Sequence, residues 1–91
     1  MSIFGKIDMY GAFNMNELLI YIREFDGSKW LIFYITDPYV LSQFLDETQK
    51  FWKHQVSYQR CFYCLDTQRF MDMRTDSKTN GIRSGDHLIL I

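Results

Sequence analysis

The stretch "ELLIYIREFDGSKWLIFYI", Glu17 to Ile35, carries two β-branched and aromatic runs on either side of Asp26-Gly27. Asp-Gly favours a type I′ hairpin turn, because both central residues of that turn take positive φ. A two-residue turn at this point predicts a register in which Phe25 faces Ser28 and Glu24 faces Lys29. Further out, Ile22 then faces Leu31, Ile20 faces Phe33 and Leu18 faces Ile35, which makes a core face. The other face sets Arg23 against Trp30, Tyr21 against Ile32 and Leu19 against Tyr34. It is too apolar to be left in water without a reason.

The next segment, "TDPYVLSQFLDETQKFWK", changes period. Val40, Leu41, Phe44, Leu45, Thr48, Phe51 and Trp52 recur at the spacing of one helical stripe. Asp37 suits the N-cap and Pro38 the first helical position, where a missing N–H costs nothing. Asp46 and Lys50, four apart, pair on the opposite side. The pattern predicts one amphipathic helix packed on one sheet.

After the helix, "YQRCFYCL" reads as a third strand and "RFMDM" as a short fourth, following a turn at Asp66-Thr67. "RTDSKTNGIRSGD" is loop, with a helical turn near residues 76–80. "HLILI" closes the pattern as an unbroken apolar run, which suits a central strand paired on both edges. Residues 1–16, "MSIFGKIDMYGAFNMN", form an apolar-rich leader with no clean period: an arm, an extra strand or a flap. Two parts are therefore expected, the leader over 1–16 and a folded domain over 17–91.

Composition narrows the classes. Ninety-one residues, 47% hydrophobic and 18% aromatic, suit one globular domain rather than a disordered chain. A formal charge of −1 leaves no electrostatic footprint for nucleic acid or an anionic membrane surface. The basic group Lys50, Lys53, His54 and Arg60 is explained by the favourable field at a helix C-terminus. No apolar run is long enough to insert in a bilayer, and the leader lacks the form of a signal peptide. Two cysteines are too few for a disulfide framework, so the expected compartment is the cytoplasm.

The order of elements, a hairpin, a helix, two short strands and a closing strand, resembles the β-grasp fold of the ubiquitin superfamily across residues 17–91. "GIRSGDHLILI" is similar to the Gly-Ile-x-x-Gly-Asp-x-Leu-x-Leu segment that closes many ubiquitin-like domains. There Gly81 and Gly85 supply backbone conformations that other residues resist, and Asp86 closes the turn. "QRCFY", Gln59 to Tyr63, is similar to a strand of ubiquitin itself. The resemblance implies an α+β fold with a mixed five-stranded sheet and one helix packed on one face. Within the superfamily the chain resembles the small ubiquitin-like accessory proteins of bacterial type VII secretion, the YukD/EsaB kind. The shared features are the "DGS" hairpin turn, the proline at the helix start, and the Gly-Asp turn before a terminal strand. The leader is not part of that pattern.

Little in the chain suggests catalysis. Ubiquitin-like modifiers need a flexible tail ending in Gly-Gly, whereas Ile91 follows directly on the last strand, so conjugation and sulfur carriage are not expected. Cys61 and Cys64 lie three apart in a strand and point to opposite faces, Cys61 inward and Cys64 outward, so they cannot share a metal or a disulfide there. His54 and His87 have no acid or hydroxyl partner at a catalytic spacing, and no phosphate loop is present. The expectation is a protein without enzymatic activity, cofactor or metal.

What remains is the sheet face away from the helix. The helix stripe covers Leu18, Ile20, Ile22, Leu31, Phe33, Ile35, Cys61, Leu88 and Leu90. The far side collects Leu19, Tyr21, Trp30, Ile32, Tyr34, Phe62, Ile89 and Ile91. By the resemblance, Phe62, Ile89 and Ile91 lie where ubiquitin carries the apolar patch that most of its partners bind. Either the leader covers this face through Ile3, Phe4, Ile7, Tyr10 and Phe13, or a partner protein or second copy does, with Trp30 and Tyr21 as anchors. Arg23 opposite Trp30 suits a cation–π pair. The expected role is docking or regulation in a bacterial assembly, with type VII secretion first. A small subunit of a multicomponent oxygenase and a degenerate bacterial modifier are the alternatives.

Overall fold

Six elements make up the computed structural model, which describes residues 16–55, 57 and 59–91. The reading of the leader as arm, strand or flap lies outside the described residues. The elements are β1 (Glu17–Glu24), β2 (Leu31–Thr36), α1 (Leu41–Phe51), β3 (Phe62–Cys64), β4 (Arg69–Phe70) and β5 (His87–Leu90). The five strands form one sheet in the order β2-β1-β5-β3-β4. β1 and β5 run parallel and the other pairs antiparallel, so the sheet is mixed and β5 lies at its centre. This is the α+β arrangement expected, with α1 across one face.

The first two strands pair in the expected register, from Glu17 opposite Thr36 to Ile22 opposite Leu31. Their connection is not the expected one. The Gly27 N–H donates to the Glu24 carbonyl at 3.0 Å, so the turn centres on Phe25 and Asp26, and neither Asp26 nor Gly27 takes positive φ. A wider loop returns the chain to Leu31, and the predicted pairs of Glu24 with Lys29 and Phe25 with Ser28 do not form part of the ladder. The register survives because burial sets it: Ile20, Ile22, Phe33 and Ile35 are all buried on one face, and a slip of one residue would turn them to solvent.

Helix α1 lays Leu41, Phe44, Leu45 and Thr48 on that face. The Phe44 ring meets Phe33 edge-on at 5.9 Å and Phe62 at 5.3 Å, while Phe51 meets Phe33 at 5.7 Å. Full burial of Phe33, Phe44 and Phe62 is worth roughly 1.5–3 kcal/mol each, and together they hold helix to sheet. The helix begins later than the sequence suggests. Val40 is its N-cap, and Asp37 instead accepts the Ser77 hydroxyl. The Leu41 N–H is satisfied by the Thr75 carbonyl at 3.1 Å, and Val40 bridges to Asp76. Helix entry is thus tied to a distant loop rather than capped by its own side chain.

At the other end, the His54 N–H reaches the Gln49 carbonyl at 2.9 Å and Lys53 takes φ +58°. This is a Schellman ending with a lysine where glycine is usual. Gln49 is buried and grips the main chain of Ser57 from both sides, giving a hydrogen bond to its carbonyl and accepting one from its N–H, each at 3.0 Å. The sequence pattern gave Gln49 no such role.

One strand faces the opposite way from expectation. Phe62 pairs with Leu90 and Cys64 with Leu88, and all four are buried under α1. Cys64 is therefore the inward cysteine, and Cys61 is the half-buried one. The predicted fourth strand is shorter than drawn, two residues rather than five, with Met71 adding one more bond to the Phe62 carbonyl. The helical turn near 76–80 does form. The Asn80 N–H reaches the Asp76 carbonyl, Asp76 Oδ1 accepts the Thr79 N–H at 2.7 Å, and Gly81 ends the turn at φ +72°. Asn80 sits buried at the centre of this loop, donating to Asp72, Thr75 and Asp76 and accepting the Asp72 N–H.

Candidate functional site

The side of the sheet away from α1 is built from the alternate residues of β1, β2, β3 and β5. On β1 these are Leu19, Tyr21 and Arg23, and on β2 Ile32 and Tyr34. Parallel pairing puts His87 beside Tyr21 and Ile89 beside Arg23, and antiparallel pairing puts Tyr63 beside Ile89. Trp30 lies just ahead of β2. At the middle of this surface the His87 ring stacks on Tyr21, with centroids 4.7 Å apart and planes 10° from parallel. Trp30 approaches the same imidazole edge-on at 5.1 Å. The Arg23 guanidinium lies 5.2 Å from the Trp30 ring centre, the expected cation–π pair. Its Nη1 also donates to the carbonyls of Glu24, Phe25 and Gly27, each at 3.1 Å, which fixes the hairpin loop and Trp30 together.

Asp66 anchors the other side of His87. Its Oδ2 accepts the His87 backbone N–H at 2.6 Å and lies 3.2 Å from the ring Nδ1. The backbone amide, more than the ring, holds the Asp66 carboxyl below its ordinary range. The imidazole is thereby clamped as a flat element of the surface.

Of the eight residues assigned to this face, Leu19, Tyr21, Ile32 and Tyr34 lie where expected, with Trp30 joined to them through His87 and Arg23. Trp30 and Ile32 each keep 37% of their surface exposed, and Ile91 keeps 36%. Ile89 is on this side but only 7% exposed, wedged between Arg23 and Tyr63. Phe62 is the correction: it is fully buried against Phe44 on the helix side and cannot reach a partner here. Its place is taken by Tyr63, whose ring packs edge-on at 5.0 Å against Phe70, itself 62% exposed. Sequence reasoning missed Tyr63, Phe70 and His87. His87 was legible, since it stands two residues from Ile89 and so on the same face.

Toward the start of β1 this surface ends in a cavity of about 150 Å³ lined by Glu17, Leu19, Tyr34 and Ser84. The Leu19 N–H donates to Ser84 Oγ at 3.0 Å and its carbonyl accepts from the Gly85 N–H at 2.6 Å, so the Ser84-Gly85 turn is stitched to β1. Gly85 takes φ +93° there, the positive-φ position the sequence suggested.

Cys64, Asp66 and Asp86 bring one sulfur and two carboxylates within 4.8 Å of one another. Internal donors already occupy them: Asp86 Oδ2 accepts the Arg83 N–H at 2.9 Å and the Cys64 thiol lies 3.8 Å away, while Asp66 serves His87. These groups close the turn into β5. On the helix side His54 bridges Glu24, at 2.6 Å, to Arg60, at 3.1 Å, and Arg60 Nε donates to the Ile91 carbonyl at 3.0 Å. That chain of polar groups ties β1, the end of the helix and the end of β5 together.

Among solved structures, one similar chain is a de novo designed protein based on ubiquitin. It superposes with a TM-score of 0.69 at 18% identity, over 86% of this chain and 90% of the designed one. The fold is ubiquitin-like. The likeness establishes the ubiquitin-like β-grasp architecture, and at this identity the fold alone. No protein-family model matches the chain, and no curated protein matches it. Among the described residues no helix is long and apolar enough to cross a membrane.

Proposed function

We propose that this ubiquitin-like domain is a non-enzymatic docking module that binds a protein partner through the sheet face away from α1. The observation that carries the reading is the cluster of Tyr21, Trp30, His87 and Arg23, packed on one another, with Tyr21, Arg23 and His87 half-buried and Trp30 exposed beside Ile32. Trp, Tyr and Arg dominate the energetics of protein interfaces, and a pre-packed cluster loses little side-chain freedom on binding. The contacts of Asp66, Asp86 and Cys64 explain those groups as structural. The finer reading is a cytoplasmic docking or regulatory component of a bacterial type VII secretion system. It is supported by the sequence likeness in the residues Asp26-Gly27-Ser28, Pro38 and the Gly85-Asp86 turn before the last strand.

The test is affinity purification of a tagged chain from cells expressing such a system, with Trp30→Ala alongside. Retention of the secretion components by the unaltered chain is expected, with about 30-fold weaker binding for the variant, corresponding to ~2 kcal/mol at an interface anchor. The variant should fold, since Trp30 lies outside the core cluster. A concentration-dependent dimer that Trp30→Ala dissociates would identify a second copy as the partner. Equal binding by both chains would remove the outer face from the function.

A further inference from the structure

The aromatic cluster on the outer face holds a charge that no carboxylate among the described residues answers. Arg23 is half-buried on the side of Leu19 and Tyr21, with its guanidinium 5.2 Å from the centre of the Trp30 ring. Its Nη1 is held by the carbonyls of Glu24, Phe25 and Gly27, which fixes the group in place. Nε and Nη2 donate to nothing among the described residues. Neither is sealed from water, because Glu17 Oε2 alone is both buried and without a partner among the side-chain nitrogens and oxygens of those residues. Arg23 enters none of their ion pairs. Nearby carboxylates are committed elsewhere, Glu24 to His54 at 2.6 Å and Asp66 to His87.

We propose that the protein docking on this face sets the carboxylate of an aspartate or glutamate side chain against Arg23, accepting from Nε–H and Nη2–H together. The inference rests on the docking reading and adds the chemistry of the partner. A surface that covers Trp30 also takes water from the guanidinium beside it. Donors and a charge stripped of water are costly, so the covering surface must return both an acceptor and a negative charge. A backbone carbonyl returns the first and not the second. The Nε and Nη2 hydrogens point the same way along one edge of a planar group, at the spacing of two carboxylate oxygens, and such paired charge-assisted bonds are strong and directional. Because three carbonyls already hold Nη1, little side-chain freedom is left to lose on binding. Trp30 and Ile32, both exposed, offer apolar surface to the residues beside that acid. The contact therefore selects among partners, since a lysine or arginine brought to the same point is repelled.

The probe is the capped tripeptide acetyl-Leu-Glu-Leu-amide, titrated at neutral pH into the full chain labelled with nitrogen-15, with acetyl-Leu-Gln-Leu-amide as the uncharged comparison. Saturable shifts are expected at the Arg23 Nε–H and the Trp30 indole N–H. The glutamine peptide should bind about tenfold more weakly or not at all, and added salt should weaken the glutamate peptide alone. Arg23→Lys keeps the charge but loses the fork, and should remove most of the preference for glutamate. No saturable shift up to roughly 20 mM, equal shifts from both peptides, or an undiminished preference in Arg23→Lys would overturn the acidic contact. Equal shifts are what an arginine that only braces the hairpin loop gives. The comparison of the two peptides needs no variant, so it decides the matter even if Arg23→Lys loosens the loop. Loss of the acidic contact with Trp30→Ala still weakening the protein partner leaves the docking face standing; partner binding indifferent to Trp30→Ala removes the docking face itself.

Discussion

Phe62→Ala separates the two sides of β3 more sharply than any other substitution. Phe62 is fully buried, paired with Leu90 and packed on Phe44. An aromatic side chain removes roughly 150–250 Å² from water, which at ~25 cal/mol per Å² gives about 4–6 kcal/mol. Alanine retains a methyl group and the site relaxes in part, so about 3–5 kcal/mol is the expected cost. A domain of this size has a total stability of about 5–15 kcal/mol, so the loss is a large share of it. Tm should fall by roughly 12–40 °C, taking about 4–8 °C per kcal/mol. Urea unfolding followed by far-ultraviolet circular dichroism and by tryptophan emission should show a lower midpoint with unchanged slope. Tyr63→Ala, one residue on, should cost under ~1.5 kcal/mol, the range of a surface aromatic pair, because Tyr63 is half-buried and its ring packs on exposed Phe70. If the costs came out reversed, β3 would present Phe62 to solvent and the face described above would be wrong. Should Phe62→Ala not fold at all, Phe62→Leu keeps most of the volume and should still cost measurably more than Tyr63→Ala.

Lys53→Gly should stabilise the chain by about 0.5–1 kcal/mol, since Lys53 ends α1 at φ +58°; a shift in urea midpoint checks this, and a loss would mean that the lysine side chain contributes more than the backbone relief. Gln49→Leu should cost about 1–3 kcal/mol, because it leaves both the N–H and the carbonyl of Ser57 without their partner; hydrogen exchange at the Ser57 amide should rise by the same factor as the local stability falls. Acid should weaken the fold through Asp66. Its folded carboxyl lies below the ordinary value, chiefly because the His87 amide donates to it, so its contribution is complete above the unfolded pKa and disappears as pH falls through the lower folded one. Asp66→Asn should flatten the acid limb of a stability–pH curve below about pH 4, and an unchanged slope would show that the amide bond is not maintained in solution.

Several features were settled by local pattern. Alternation in residues 18–22 and 31–35 buries one set of side chains, and that alone selects the register, even though the turn between them is wider than the Asp-Gly dipeptide suggests. The stripe Leu41, Phe44, Leu45 and Thr48 specifies a helix face without help from elsewhere. Gly81 and Gly85 take positive φ, as their positions in the closing segment imply.

Tertiary structure decided the rest, and the reason is that these features depend on neighbours far along the chain. "CFYCL" is apolar at every position, so it carries no parity signal, and only its pairing with β5 turns Phe62 inward and Tyr63 outward. The helix start was misplaced because its capping acceptor is Thr75, more than thirty residues downstream, while Asp37 is engaged by Ser77. The aromatic cluster needs β5 parallel to β1 to bring His87 onto Tyr21, and the cavity at Glu17 needs the Ser84-Gly85 turn folded against Leu19. The sequence by itself therefore determined which faces are apolar and which segments bend. Which residues share a face across strands followed only from the contacts that the closing strand makes.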